Sequence, residues 1–133
     1  MKSLLIVISL LFCTAVNAQA IRYEYVDGSG NLYRLSPALI EYEPVQAEFS
    51  SSGVYSGGNA VKKSISSNDY ENIRQKLQAA IDNHAIHIQN RLMGSGMILI
   101  RQQNETKAIL LSQHTKEKIA LEALLKALIT VVD

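Results

Sequence analysis

The chain has 133 residues, 47% of them apolar, with 13 lysines and arginines against 12 aspartates and glutamates. That length supports one hydrophobic core and is short for two. Balanced charge without a dense Lys/Arg patch is unsuited to nucleic acid, where affinity comes largely from neutralising phosphates.

The first twenty residues read as a secretory signal peptide: a basic start at Met1-Lys2, an apolar run from Leu4 to Phe12, and small residues at Ala18 and Ala20. The run is less than half of the roughly 20 apolar residues that a membrane span requires. Bulky Phe12 before Cys13 does not suit lipoprotein processing. The expected product, cut after Ala18 or Ala20, is a bacterial periplasmic or secreted protein without a membrane span. Cleavage removes Lys2 and the only cysteine, Cys13, and takes the net charge from +1 to zero. The domain over 21–133 must then rely on its core instead of a disulfide.

Ile21, Tyr23 and Tyr25 alternate with Arg22 and Glu24, the period of a half-buried strand. Asp27-Gly28-Ser29-Gly30-Asn31 supplies turn residues, and Leu32–Leu35 returns as the second strand of a hairpin. A third strand is expected at Leu39–Tyr42, between Pro37 and Pro44. Residues 46–60 form a Ser/Gly-rich loop with Phe49 and Tyr55 embedded in it, followed by a short strand at Val61–Ile65. Asn68 and Glu71 suggest an N-cap and its capping-box partner, opening a helix whose stripe is Ile73, Leu77, Ala80, Ile81 and His84. Asn83 is a candidate stop, and Ile86–Gln89 alternates like a strand, although a helix reaching Asn90 also fits. Gly94-Ser95-Gly96 reads as a turn, Met97–Arg101 as a strand, Asn104-Glu105 as a turn and Thr106–Leu111 as the returning strand. Ser112 or Thr115 caps a last helix with an apolar stripe of Leu121, Leu124, Leu125, Leu128 and Val132, leaving Glu122 and Lys126 toward water.

The expected architecture is α+β: an N-terminal antiparallel β-meander, then β-α-β-β(-β)-α, with two helices packed on one largely antiparallel sheet. Every aromatic residue after the leader falls between Tyr23 and Tyr70. Grouped aromatics make contact patches when exposed, so the Tyr-rich first half is the expected binding face.

Chemistry-bearing motifs are sparse. His84 and His87 stand three apart, on one face if helical, and with His114 are the candidates for a zinc site, yet no ligand pattern such as His-Glu-x-x-His accompanies them. Asp27–Asn31 starts like a calcium loop, but its twelfth position is Ala38 instead of glutamate. No Gly-x-Ser-x-Gly elbow or phosphate-binding loop is present. No cofactor, metal or catalytic group is therefore expected.

Tyr55-Ser56-Gly57-Gly58, followed by a strand, a helix, a hairpin and a last amphipathic helix, resembles the order in emfourin-type bacterial metalloprotease inhibitors. Ser52-Gly53-x-Tyr55 is similar to the Ser-Gly-x-x-Tyr loop of periplasmic C-type lysozyme inhibitors, one residue shorter. Both resemblances imply an exported, non-enzymatic protein that sets a Gly-rich loop against a hydrolase. The leading expectation is a binding module for another protein, an inhibitor of an envelope or extracellular hydrolase being one form of it. Its contacts come from the Tyr-rich sheet and from Phe49, Ser52, Gly53, Tyr55, Gly57 and Gly58. The rival readings are a small periplasmic metal-binding or hydrolytic protein using His84, His87 and His114, and a structural subunit of an envelope assembly.

Overall fold

A computed structural model describes residues 21–130. The leader expected over 1–20, with its cleavage points and Cys13, lies outside the described residues, as does Val132. Strands β1 (Arg22–Val26), β2 (Leu32–Ser36), β3 (Leu39–Glu43) and β4 (Val61–Ser64) form the meander. Helix α1 (Ser67–Asp82) follows, then the short β5 (His87–Ile88), the hairpin β6 (Gly96–Gln102) and β7 (Glu105–Leu111), and helix α2 (Lys116–Thr130). All seven strands join one antiparallel sheet in the order β4-β3-β2-β1-β6-β7-β5. The α+β architecture is the one the strand and helix periods predict.

Strand alternation sorts the side chains onto two faces. Tyr23, Tyr25, Tyr33, Leu35, Ile40, Tyr42, Ile98, Ile109 and Leu111 point to one side, where Ile73, Leu77 and Ala80 of α1 and Leu121 and Leu125 of α2 close over them. The opposite face is covered by no helix of the described residues and carries an ion ladder, in which Glu24 meets Arg34 and Arg101, Arg34 meets Glu43, and Lys62 meets Glu41. The Arg34–Glu43 and Lys62–Glu41 pairs are exposed on both sides and contribute at most about 1 kcal/mol each, whereas Glu24, its side chain 15% exposed, is half-buried between two arginines; the tyrosine-and-aliphatic layer is the main support of the fold.

Four sequence expectations change. The sheet tyrosines are core residues: Tyr25 and Tyr33 are 0% and 1% exposed, and Tyr23 and Tyr42 are also buried. They lie on the side that the helices cover, so the sheet tyrosines offer no contact surface. Helix α1 starts earlier than expected, with Ser66 as N-cap; its hydroxyl accepts from the Asp69 N–H, and the Asp69 carboxylate accepts from the Ser66 N–H. Ser66-x-x-Asp69 repeats the capping-box spacing two residues before the Asn68/Glu71 pair, and the longer helix wins. The same helix ends at Asp82 with Asn83 as C-cap, so His84 leaves the stripe and is exposed. Finally, Glu122 is not on the wet side. Its side chain is 16% exposed and sits beside that of Lys118, a buried residue.

Between Ala80 and Ile88 the chain turns back through a single 3-10 turn, His84–Ile86, and His87 Nε2 lies 2.8 Å from the Ala80 carbonyl. This contact occupies one of the last carbonyls of α1, which lack a partner inside the helix. Asn83 Nδ2 donates to Glu117 Oε1 at 3.0 Å, tying the end of α1 to the start of α2. The β6–β7 turn is Gln103-Asn104, one residue earlier than expected, with Gln103 at φ 55°.

Candidate functional site

The 46–60 loop is built by local hydrogen bonds and then bolted to the sheet. Ala47–Phe49 makes one 3-10 turn, closed by the Ser50 N–H and hydroxyl donating to the Ala47 carbonyl. Gly53, at φ +72°, donates its N–H to the Ser50 carbonyl. The Ser52 hydroxyl accepts from the N–H of Tyr55 at 3.2 Å. Short polar side chains bonding to backbone a few residues away are what shape turns.

Asn31 is the bolt. Its Oδ1 accepts from the Val45 N–H at 3.0 Å, and its Nδ2 donates to Asp27 Oδ2 and to the Tyr55 hydroxyl, both at 2.9 Å. Asp27 also accepts from the N–H groups of Ser29 and Asn31, and both Asp27 and Asn31 are 3% exposed. A second tie lies beside it: the Tyr42 hydroxyl donates to the Gly57 carbonyl at 2.7 Å, and the Gly57 N–H donates to the Val45 carbonyl. Gly57 is required here. A Cβ would stand 2.8 Å from both Pro44 Cβ and Tyr42 Oη, and closer still to Asn31 Oδ1. The close approach permitted by this glycine is thus already used by the chain itself. Gly57→Ala is expected to cost about 2 kcal/mol, as overpacking of a tight site does. Urea unfolding reads that loss, and faster proteolysis within residues 46–60 reads the loosened loop.

Gly58, at φ +93°, and Ser52 are exposed, and nothing would meet a Cβ on Gly58 or Gly53 within 4 Å. Phe49 and Tyr55 differ in role. The Tyr55 hydroxyl folds back to Asn31, and the residue is 38% exposed, whereas Phe49 is 78% exposed.

Against Phe49 and Tyr55, the fold brings a segment that the sequence expectation left out. Residues 91–94 precede β6, and Ser95, 1% exposed, ties their turn by donating its hydroxyl to the Leu92 carbonyl at 2.6 Å and accepting from the Leu92 N–H at 3.2 Å. Leu92 and Met93 project outward at 63% and 90% exposure. Gly28 and Gly94 come into such close backbone contact that a Cβ on Gly28 would lie 2.7 Å from the Gly94 carbonyl oxygen. The 27–31 turn, the 46–60 loop and the 91–94 turn together enclose an open groove of about 590 Å³, lined by Gly28, Ser29, Gly30, Val45, Phe49, Ser50, Ser51, Tyr55, Arg91, Leu92, Met93 and Gly94. The available signal was Leu92-Met93 immediately before Gly94-Ser95-Gly96, two large apolar residues at a turn where solvated ones are usual.

Among the described residues, the groove lining contains no carboxylate, imidazole or thiol, and Arg91 is its one charged residue. The guanidinium of Arg91 stands 3.9 Å from Met97 Sδ. Such a surface can bind by apolar burial and backbone hydrogen bonding. The histidines lie elsewhere. His84 and His87 have ring centroids 5.3 Å apart, while His114 is exposed in the turn before α2. Among the described residues no group of three His, Cys, Asp or Glu side chains is placed to hold a metal ion. Among the described residues, too, no helix is long and apolar enough to cross a membrane. No family model matches the chain, and no curated protein or solved structure matches it either.

Proposed function

We propose that this chain is an exported protein-binding module whose contact surface is the groove between the 46–60 loop and the 91–94 turn. The observation that carries this reading is the exposure of Phe49, Leu92 and Met93 around one groove whose walls are tied in place. Large apolar side chains grouped at a surface gain free energy when a partner covers them, and aromatic residues and methionine are enriched in protein interfaces. A wall already held by Asn31, Tyr42 and Ser95 loses less conformational freedom on binding than a free loop does. Inhibition of an envelope or extracellular hydrolase is the form of this function that the loop chemistry favours, because a loop tied to the sheet and carrying an exposed Phe49 suits an enzyme cleft.

Phe49→Ser/Met93→Ser tests the reading. Both side chains are largely in water, so the double variant keeps wild-type stability to within about 1 kcal/mol. Immobilised wild-type protein is expected to retain a specific partner from a bacterial envelope extract, and the variant to lose it. Equal retention by the two would remove the groove from the account.

A further inference from the structure

The two edges of the sheet differ. Strand β4 ends one side and carries consecutive lysines, Lys62 and Lys63, a usual protection of an edge against pairing. On the other side β5 covers only Leu110 and Leu111 of β7, and the chain turns off the sheet at Gln89. Residues 105–108 of β7 are all exposed. The Ser112 N–H donates to the Ile86 carbonyl, so the even-numbered residues of this strand aim their backbone groups away from β6. Thr106 and Ala108 therefore present N–H and C=O groups along an edge that no strand of the described residues covers.

The side chains on this edge complement themselves. We infer that two copies of the chain pair antiparallel along β7, with Thr106 facing Thr106 of the second copy on a two-fold axis. That register sets Glu105 of each copy opposite Lys107 of the other, in the pair type where side chains are closest. No ion pair joins Glu105 or Lys107 to another described residue. The alternatives with the same backbone polarity are worse. Centring on Lys107 opposes two lysines, centring on Glu105 opposes two glutamates, and centring on Ala108 runs into β5 at Leu110. Thr106 suits the axis, because its Oγ1 accepts from Arg101 Nη1 at 3.2 Å and its own hydroxyl proton can go to the second threonine. The seam lies at the far end of β7 from the 91–94 turn, so the groove stays open in each copy.

Sedimentation of the purified chain from micromolar to millimolar concentration, with its variants, tests the seam. Wild type is expected to show a monomer–dimer equilibrium. Lys107→Glu, which gathers four carboxylates at the seam, weakens it by about tenfold or more, and Glu105→Lys/Lys107→Glu restores it to within about threefold. The register has its own readout. Thr106→Cys in a Cys13→Ser background should give a covalent dimer on mild oxidation, since facing Cα atoms about 5.5 Å apart suit a disulfide. Ser64→Cys on the β4 edge should stay monomeric. A wild type that is monomeric throughout, a dimer indifferent to Lys107→Glu, failure of the charge swap to restore it, or cross-linking through Ser64 alone would each overturn the inference.

Discussion

Glu122→Ala is expected to lower the free energy of unfolding by about 3 kcal/mol, the loss typical of stranding one member of a buried charge pair. Three donors converge on a single oxygen of this carboxylate: the Tyr25 hydroxyl at 2.7 Å, the Lys118 ammonium at 3.0 Å and the Gly28 N–H at 3.3 Å. Lys118 and Tyr25 have little water to turn to, because Lys118 is 6% exposed and Tyr25 is 0% exposed. Removing the carboxylate leaves an ammonium and a phenol hydroxyl without an acceptor, and unmade hydrogen bonds of this kind cost more than made ones contribute. Urea unfolding reads the loss. Lys118→Met/Glu122→Gln keeps an acceptor for Tyr25 and Gly28 while removing both charges, and should stay within about 1 kcal/mol of wild type. A loss below about 0.5 kcal/mol for Glu122→Ala is what an ordinary surface site shows, and would mean that water replaces the carboxylate.

The second large effect is alkaline unfolding. Burial pushes the Tyr25 phenol far above its usual range, and the hydrogen bond to Glu122 with the negative charges of Glu122 and Asp27 pushes the same way. Tyr33 is raised by burial first and then by the charge of Asp27. In the unfolded chain both phenols release their protons near pH 10. Above that point the unfolded chain holds fewer protons than the native one, so stability falls as pH rises. Below it the contribution of the two tyrosines is fully present. Each tyrosine adds a slope of about 1.4 kcal/mol per pH unit, about 3 kcal/mol per unit for the pair. Urea unfolding at several pH values between about 9 and 11, beside tyrosinate absorbance of the native protein, measures it. Tyr42 and Tyr70 are also raised by burial and add to the slope, so Tyr25→Phe should lower it by about 1.4 kcal/mol per pH unit. A native protein whose tyrosines all ionise near pH 10 without loss of structure would contradict the burial argument.

Tyr25 also explains why part of the sheet was readable and part was not. The alternation of Ile21, Tyr23 and Tyr25 with Arg22 and Glu24 announces a strand with one buried face, and the structure has that strand. Which face is buried against what depends on residues far away in sequence. Alternation alone also allowed the tyrosine face to be a contact surface, and the helices, which arrive after residue 66, close over it. Glu122 shows the same limit on α2. Helical spacing puts it beside Leu121 and Leu125, and only the position of the β1–β2 turn turns that flank into a buried polar contact.

The groove was legible by halves. Phe49 and Tyr55 stood out as aromatics in a Ser/Gly-rich stretch, and the loop around them is where the sequence placed it. Leu92 and Met93, some forty residues later, belong to the same surface because β6 pairs with β1 and so sets the 91–94 turn beside the 27–31 turn. No local pattern encodes that neighbourhood. Likewise Gly57 reads as one more flexible residue, whereas its lack of a side chain is what admits Asn31 and Tyr42.

From its sequence alone this chain determined the strands of the meander, the long helix with an acidic start, the β6–β7 hairpin and the amphipathic last helix. These follow from side-chain periodicity, caps and turn residues, all of which act within a few residues of one another. Only the tertiary structure decided which tyrosines are core, where Glu122 goes, which two loops share a groove and which sheet edge is left open. Those are matters of sheet order and helix placement, set by contacts between segments up to about a hundred residues apart, as the Tyr25–Glu122 bond is.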